Sequence, residues 1–196
     1  MTDDLTRDIE SQLDESVKEL IDLKKRILEL RRQVPSEQVS DYVLLGPGGE
    51  DVRLSELFGD KDDLIVVHNM GRGCRYCTLW ADGFVGLLPH LENRAAFVIS
   101  SPDDPDTQRD FAAGRGWPFK MVSVKGSPFA GDMGFMRGEG EYWPGYSTFH
   151  RHDDGRITRV SSDFFGPGDD YCGVWPMFDL LRDGQNGWQP QYEYPS

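Results

Sequence analysis

Two cysteines separated by two residues, Cys74 and Cys77, are the part of this sequence best suited to chemistry. They follow an apolar run at residues 64–67 and precede a segment with helical periodicity. Cysteines one helical turn apart can close a small disulfide ring, and a helix start stabilises a thiolate. This context predicts a dithiol redox site, with Cys74 as the nucleophile and Cys77 as the resolving thiol.

The residues around the first cysteine favour the same chemistry. Arg72 and Arg75 would place positive charge beside the thiolate of Cys74. Gly71 and Gly73 would let the backbone turn sharply and leave the sulfur accessible. The motif is therefore expected to be a reactive site, with both arginines contributing to it.

His68 and Asp82 are two further candidates near the motif. His68 stands near the end of the preceding strand, where it is either a packed histidine, a base or proton shuttle for the thiols, or a metal ligand. Asp82 follows on the predicted helix, either as an exposed acid or as a buried proton acceptor. Position alone does not orient either side chain.

Copper binding is an alternative use of the same thiols. Cys74, Cys77 and His68 together could hold a soft ion such as Cu(I). His150 and His152 would be further ligands, or the solvated end of a strand. A structural zinc site would need a second ligand pair such as another C-x-x-C, which the sequence lacks. Redox chemistry without metal or cofactor is the leading interpretation.

Composition narrows the classes of partner and compartment. The chain has 196 residues and a formal net charge of −13, which argues against binding nucleic acid or anionic membranes. Because neither a signal peptide nor a membrane span is recognisable, we expect a cytoplasmic protein. With three cysteines, a pair within the motif leaves Cys172, which we interpret as a free, partly buried thiol.

Residues 1–35 are predicted to form a separate helical arm. Apolar residues recur in alternating steps of three and four from Ile9 to Val34, with Ser16 in one slot, and Pro35 ends the pattern. The arm would either pack on its own domain or pair with a second copy to form a homodimer. A linker at residues 36–40 would lead into the second domain.

Residues 41–196 are predicted to form one α/β domain. A hairpin at residues 42–54 comes first, followed by strands near residues 64–70, 95–100 and 121–124 that alternate with helices. This alternation implies parallel strands covered on both faces. A second hairpin is expected around residues 146–160 and a terminal helix at residues 174–181. The aromatic and glycine-rich segment 129–149 could instead line a small-molecule pocket, which is a third functional alternative.

The sequence resembles the DUF899 family of bacterial thioredoxin-like proteins over about residues 20–182. The resemblance rests chiefly on Val67-His68-Asn69-Met70 and on the block Cys74-Arg75-Tyr76-Cys77-Thr78-Leu79-Trp80-Ala81-Asp82-Gly83. It implies a thioredoxin-like fold, a mixed sheet flanked by helices, with an N-terminal helical extension. It also implies that Cys74 and Cys77 are a dithiol-disulfide redox pair near His68 and Asp82. We expect the substrate to be a protein or small-molecule disulfide or thiol.

The sequence departs from better-known thioredoxin-fold patterns at two places. Thioredoxins carry a cis-proline before the strand that faces the C-x-x-C, and here Ser147 is expected at that position. Peroxiredoxins carry a threonine or serine three residues before the reactive cysteine and a proline further upstream. This chain has Gly71 and Val67 there, so disulfide exchange is favoured over peroxidase activity.

Overall fold

The computed structural model describes residues 2–195, and every element below lies in that range. The helices are α1 (Thr2–Gln33), α2 (Arg75–Arg94), α3 (Pro105–Arg115), α4 (Phe129–Asp132) and α5 (Val174–Asp179). The strands are β1 (Glu37–Val39), β2 (Val43–Leu45), β3 (Asp51–Arg53), β4 (Asp63–His68), β5 (Ala96–Ser101), β6 (Lys120–Ser123), β7 (Gly145–Arg151) and β8 (Ile157–Phe164). A short 3-10 helix, Leu54–Phe58, follows β3.

The chain divides into two units, residues 1–36 and residues 37–196. The first unit consists of α1, which has the length that the heptad pattern predicts. Within residues 2–195, no helix is both long and apolar enough to cross a membrane.

The second unit is built on one eight-stranded sheet in the order β1-β8-β7-β4-β5-β6-β2-β3. Strands β4, β5 and β6 are parallel, since helical crossovers connect them, and every other pairing is antiparallel. The all-parallel arrangement suggested by the alternation of strands and helices therefore holds only at the centre. Hairpins extend the sheet on both sides, and the predicted mixed α/β architecture is confirmed.

Strand β4 separates two apolar cores because successive side chains of a strand point to opposite faces. Leu64 and Val66 face a core shared with Phe129, Phe135 and other residues. Val67 faces the other core, which α2 fills with Trp80, Ala81, Phe84 and Leu88. The helix that carries the C-x-x-C thus packs on one face of the sheet only.

Two elements differ from the sequence-based expectation. The predicted linker at residues 36–40 contains β1, whose three residues pair with β8 at the edge of the sheet. The helix α4 has no counterpart among the predicted elements. Both elements are very short, so they lack the repeated periodicity that identifies longer helices and strands.

Candidate active site

Cys74 is the residue that caps the N-terminus of α2. Its backbone is extended, with φ −102° and ψ 104°, and the helix begins at Arg75. Its sulfur accepts a hydrogen bond from the backbone N–H of Cys77 (3.0 Å). Its carbonyl accepts bonds from the N–H and the hydroxyl of Thr78 (3.0 and 3.1 Å). A thiol occupies the place where a serine or aspartate oxygen often caps a helix.

This position favours the thiolate of Cys74. The pKa of Cys74 is lowered to about 7, chiefly by a hydrogen bond from the Cys77 thiol and to a smaller extent by the N–H groups of Cys77 and Tyr76. Partial burial of the sulfur opposes this shift. A substantial fraction of Cys74 is therefore ionised at neutral pH while its sulfur remains partly accessible.

Cys77 has the opposite character. Its side chain is 3% exposed, and its sulfur accepts the N–H of Met70 (3.5 Å). Hydrogen bonding to Cys74 and burial raise the pKa of Cys77, so this thiol stays protonated while Cys74 is a thiolate. The pair therefore combines one partly exposed thiol of lowered pKa with one buried thiol of raised pKa.

The loop before Cys74 is held by two residues that sequence analysis did not single out, Asn69 and Asp103. The Asn69 side-chain oxygen accepts the N–H of Gly71 (2.8 Å), and the Asp103 carboxylate accepts the N–H of Arg72 (2.7 Å). Gly71 has φ +96°, a conformation that favours glycine. Parallel strands end at the same edge of a sheet, so the ends of β4 and β5 were the signal that could have placed Asp103 beside this loop.

Arg72 and Arg75 were expected to stabilise the Cys74 thiolate by their positive charge, but the structure shows other contacts for both residues. Arg75 donates from its guanidinium to the side-chain oxygen of Gln189 (3.2 Å). Arg72 is anchored through its backbone N–H, and its side chain is exposed. The groups that lower the pKa of Cys74 are hydrogen-bond donors of Cys77 and Tyr76.

The C-terminal segment, residues 185–195, lies beside the dithiol and was not predicted to contribute to the site. Besides Gln189 on Arg75, Trp188 packs against Trp175, whose ring contacts Tyr76 between the two cysteines. Burial, and to a smaller extent the negative charge of Cys74, raise the pKa of the Tyr192 phenol. The segment forms one wall of the site.

His68 lies on the other face of the sheet from α2. Its ring stacks on Phe135 (centroids 3.9 Å apart) and its Nε2 bonds the hydroxyl of Ser147 (2.9 Å). Burial, and to a smaller extent the charge of Arg159, lower the pKa of His68 to about 3, so the imidazole is neutral at physiological pH. These contacts describe a packed core histidine, which is one of the alternatives considered from sequence.

The structure does not assemble the ligand set considered for copper. Since His68 faces the opposite core, it does not join Cys74 and Cys77. Among residues 2–195, no three His, Cys, Asp or Glu side chains are grouped as metal ligands. His150 of β7 bonds Asp63 of β4 (2.8 Å), and His152 bonds Thr158 of β8 (3.1 Å).

Asp82 holds the start of a neighbouring loop. Its carboxylate accepts two hydrogen bonds from Arg115 (2.8 and 2.5 Å) and one from the indole N–H of Trp117 (2.8 Å). Arg115 also donates to the carbonyl of Tyr192 (2.9 Å) in the C-terminal segment. Asp82 therefore links α2 to the end of α3 and, by way of Arg115, to the C-terminal segment.

Ser147 does not lie where the comparison with thioredoxins places it, whereas Cys172 is a free thiol as expected. Ser147 was expected directly before the strand that faces the motif, but it lies inside β7 opposite Val66, because β7 begins at Gly145. Pro144 stands directly before that strand, and no cis peptide bond occurs in residues 2–195. Cys172 is a buried free thiol in the apolar core on which α2 packs.

The segment 129–149, considered as the lining of a small-molecule pocket, contributes instead to the core. Its phenylalanines Phe129, Phe135 and Phe149 are at most 1% exposed. Phe129 and Phe135 both stack on the ring of His68, with centroids 5.5 and 3.9 Å away. Core packing therefore explains these three phenylalanines, whereas Trp143 of the same segment is 43% exposed.

Comparison with known proteins agrees with this architecture. A family model described as "Bacterial protein of unknown function (DUF899)" matches residues 7–194. A search of curated protein sequences finds no match. Among solved structures, peroxidoxin BcpB from Mycobacterium tuberculosis is similar at 27% identity and TM-score 0.51, over 62% of this chain and 80% of that one.

Two further structures have the same fold at lower identity. A peroxiredoxin-like protein from Aquifex aeolicus matches at 11% identity and TM-score 0.51, over 66% of this chain and 74% of that one. A mutant of PrxQ from Xylella fastidiosa matches at 18% identity and TM-score 0.50, over 65% and 82%. The predicted thioredoxin-like fold with an N-terminal helix is confirmed.

Proposed function

Since the chain belongs to the DUF899 family of bacterial proteins of unknown function, we propose its function from the site itself: a thiol oxidoreductase that exchanges disulfides through Cys74 and Cys77. One observation carries this proposal. Cys77 donates both its N–H and its thiol to the sulfur of Cys74, which lowers the pKa of Cys74 to about 7. A thiolate with a pKa near the ambient pH is the most effective attacking group in disulfide exchange.

The first half of the reaction takes place at Cys74. Its thiolate attacks one sulfur of a protein or small-molecule disulfide, forming a mixed disulfide and releasing the first substrate thiolate. This step needs no external oxidant or reductant, because the S–S bond of the substrate breaks as the S–S bond to Cys74 forms. The partial exposure of Cys74 gives the substrate access to the sulfur, beside the C-terminal segment that bonds Arg75 through Gln189.

The second half depends on the change in charge at Cys74. Once its sulfur is in the mixed disulfide, it no longer carries the negative charge that keeps Cys77 protonated. The pKa of Cys77 then falls, and the N–H of Met70 remains to stabilise its thiolate. Cys77 passes its proton to a released substrate thiolate and attacks Cys74, which forms the internal disulfide and releases the second substrate thiolate. Substrate is reduced by two electrons and the protein is oxidised by two.

A chromogenic aromatic disulfide tests this order of events. The reduced protein releases two coloured thiolates per chain, whereas the Cys74→Ser variant releases none in the fast phase. Cys77→Ser releases one and retains the other as a mixed disulfide, which mass spectrometry detects. Cys172→Ser is the matched control and behaves as wild type. Full exchange by Cys74→Ser would overturn the proposal.

Peroxide reduction is a second candidate, favoured by the similarity to the structure named peroxidoxin. In that reaction the Cys74 thiolate attacks one peroxide oxygen, becomes a sulfenic acid and releases water or an alcohol. Cys77 then condenses with the sulfenic acid to give the disulfide and water. Disulfide exchange ranks first because Gly71 stands where peroxiredoxins have a hydroxyl, and the Thr78 hydroxyl donates to the Cys74 carbonyl instead.

Peroxide consumption by the pre-reduced protein distinguishes the two candidates. If disulfide exchange is the activity, the aromatic disulfide reacts with Cys74 much faster than hydrogen peroxide or an alkyl hydroperoxide does at equal concentration. A faster reaction with peroxide, lost in Cys74→Ser, would assign the peroxidase instead.

A further inference from the structure

Helix α1 carries a long apolar seam that is exposed to solvent in the single chain. The side chains of this seam are between 40% and 63% exposed: Ile9, Leu13, Leu20, Leu23, Ile27, Leu30 and Val34. They recur in alternating steps of four and three residues, the spacing of a coiled-coil interface. Monomeric proteins rarely leave so long a row of apolar residues uncovered, so the seam marks an interaction surface.

We propose that α1 pairs with α1 of a second copy of this chain, as an antiparallel two-stranded coiled coil. A strict seam of this kind fits another helix with the same spacing, and α1 itself is one. In the heptad abcdefg, Leu13, Leu20 and Ile27 occupy a, and Leu23 and Leu30 occupy d. The charges that flank these positions decide the direction of the second helix.

In the antiparallel arrangement, g positions face g positions and e positions face e positions. This places Glu19 opposite Arg26 of the second copy, and Glu10 opposite Arg31 of the second copy. Symmetry repeats each pair, so four opposite-charge pairs flank the seam. The remaining flanking positions meet as glutamine with glutamine and as valine with lysine, without repulsion.

A parallel pair is less favourable because it brings g against the next e position. Arg26 would then face Arg31 of the second copy, and symmetry would repeat this contact between like charges. Only Glu19 with Lys24 would be an attractive pair. Charge complementarity therefore selects the antiparallel direction.

The same register also accommodates Ser16, the one polar residue of the seam. It faces Ile27 of the second copy, whereas a parallel pair would place two serines in one layer. The hydroxyl of Ser16 already donates to the carbonyl of Gln12 in its own helix (2.9 Å). Burying it at the interface therefore leaves no unsatisfied donor.

Two apolar residues of α1 outside the seam provide matched controls. Ile21 and Leu28 are each 49% exposed, as exposed as Leu20 at 51%, but they occupy the b position. If the seam is the interface, an acidic substitution at Leu20 separates the copies and the same substitution at Ile21 does not.

Sedimentation equilibrium of the full chain tests this surface, under reducing conditions so that disulfides between chains do not contribute. The wild type and Ile21→Asp are expected to be dimers, and Leu20→Asp a monomer with the far-ultraviolet signal of the α/β domain retained. A wild-type monomer at all concentrations, an assembly larger than two, or dissociation by Ile21→Asp alone would overturn the proposal.

A charge reversal tests the direction of the helices without removing any apolar contact. In the antiparallel dimer, Arg26→Glu places a second carboxylate opposite Glu19 of the other copy and weakens association by roughly tenfold. Adding Glu19→Arg restores the opposite-charge pair and the affinity. In a parallel dimer, the carboxylate introduced by Arg26→Glu would instead face Arg31 and strengthen association, which would overturn the antiparallel assignment.

Discussion

The backbone N–H of Cys77 donates to the sulfur of Cys74 over 3.0 Å, and the thiol of Cys77 points to the same sulfur. One residue therefore supplies two of the donors that stabilise the neighbouring thiolate. The lowered pKa of Cys74 therefore depends chiefly on Cys77, within the first turn of α2.

Removing the Cys77 thiol should make Cys74 less acidic. In Cys77→Ala, the pKa of Cys74 rises from about 7 toward the ordinary thiol value of about 8.5, because the side-chain donor is lost. Cys77→Ser keeps a hydroxyl donor and should shift the pKa less. The pH dependence of alkylation by iodoacetamide measures both, with the wild-type rate rising with pH through about 7. An unchanged midpoint in Cys77→Ala would refute this account.

Gly71 should not tolerate a side chain. Its φ of +96° disfavours other residues, and a Cβ there would lie 2.9 Å from both carboxylate oxygens of Asp103. Gly71→Ala is expected to lower the free energy of unfolding by about 1–3 kcal/mol and to slow alkylation of Cys74. Gly73→Ala is the matched control, since a Cβ there meets no atom within 4 Å. Urea unfolding compares the two, and equal stabilities would contradict the strained position.

Burial of His68 should make stability depend on pH. The pKa of His68 is about 3 in the folded chain and 6.5 when unfolded, so below pH 6.5 only the unfolded chain takes up this proton. The free energy of unfolding should therefore fall by about 1.5–2 kcal/mol between pH 6.5 and 5 from this group. Protonation of His68 in the unfolded chain therefore lowers the stability of the fold progressively as the pH falls from 6.5 to about 3.

His68→Gln removes the titrating ring and keeps a group that can bond Ser147. Its loss of stability between pH 6.5 and 5 should be smaller than that of wild type, measured by urea unfolding at each pH. Cys74 alkylation should be unchanged, because His68 faces the other core. Parallel pH profiles for the two proteins, or slower alkylation in the variant, would count against this placement.

Asp82 should act on stability and on the wall of the site rather than on the thiols. Asp82→Asn weakens the bonds to Arg115 and Trp117 and should cost about 1 kcal/mol, a modest loss because the ion pair is partly exposed. The pKa of Cys74 should not move. Asp22→Asn, which removes an exposed pair with Lys25 in α1, is the control and should leave stability unchanged. A shift in the alkylation midpoint of Asp82→Asn would restore a catalytic role.

Much of the fold follows from local sequence signals. The apolar run before the motif, the helix after it and the turn between His152 and Gly155 all coincide with elements of the structure. These signals are strong because each is carried by several neighbouring residues. The edge strand β1 was missed because its pairing with β8 joins residues more than a hundred positions apart, which no local pattern records.

The site was predictable only in part, for the same reason. Cys74 and Cys77 are neighbours in sequence, so their spacing alone indicated a dithiol on a helix start. Asn69, Asp103 and Tyr192 reach the site from a strand end, a second loop and the C-terminal segment. Their side chains have no distinguishing sequence context, and only the folded chain brings them beside the motif.

Sequence spacing was enough to identify the Cys74–Cys77 pair, the strand-loop-helix that carries it and the heptad seam of α1, since each pattern lies within one continuous segment. The folded chain was needed to show which face of the sheet His68 occupies and that Arg115 binds Asp82. It was also needed to show that hydrogen bonds from Cys77 and Tyr76 lower the pKa of Cys74. The physical reason is that burial, charge and hydrogen bonding depend on distances in space, which the packing of two cores around β4 establishes.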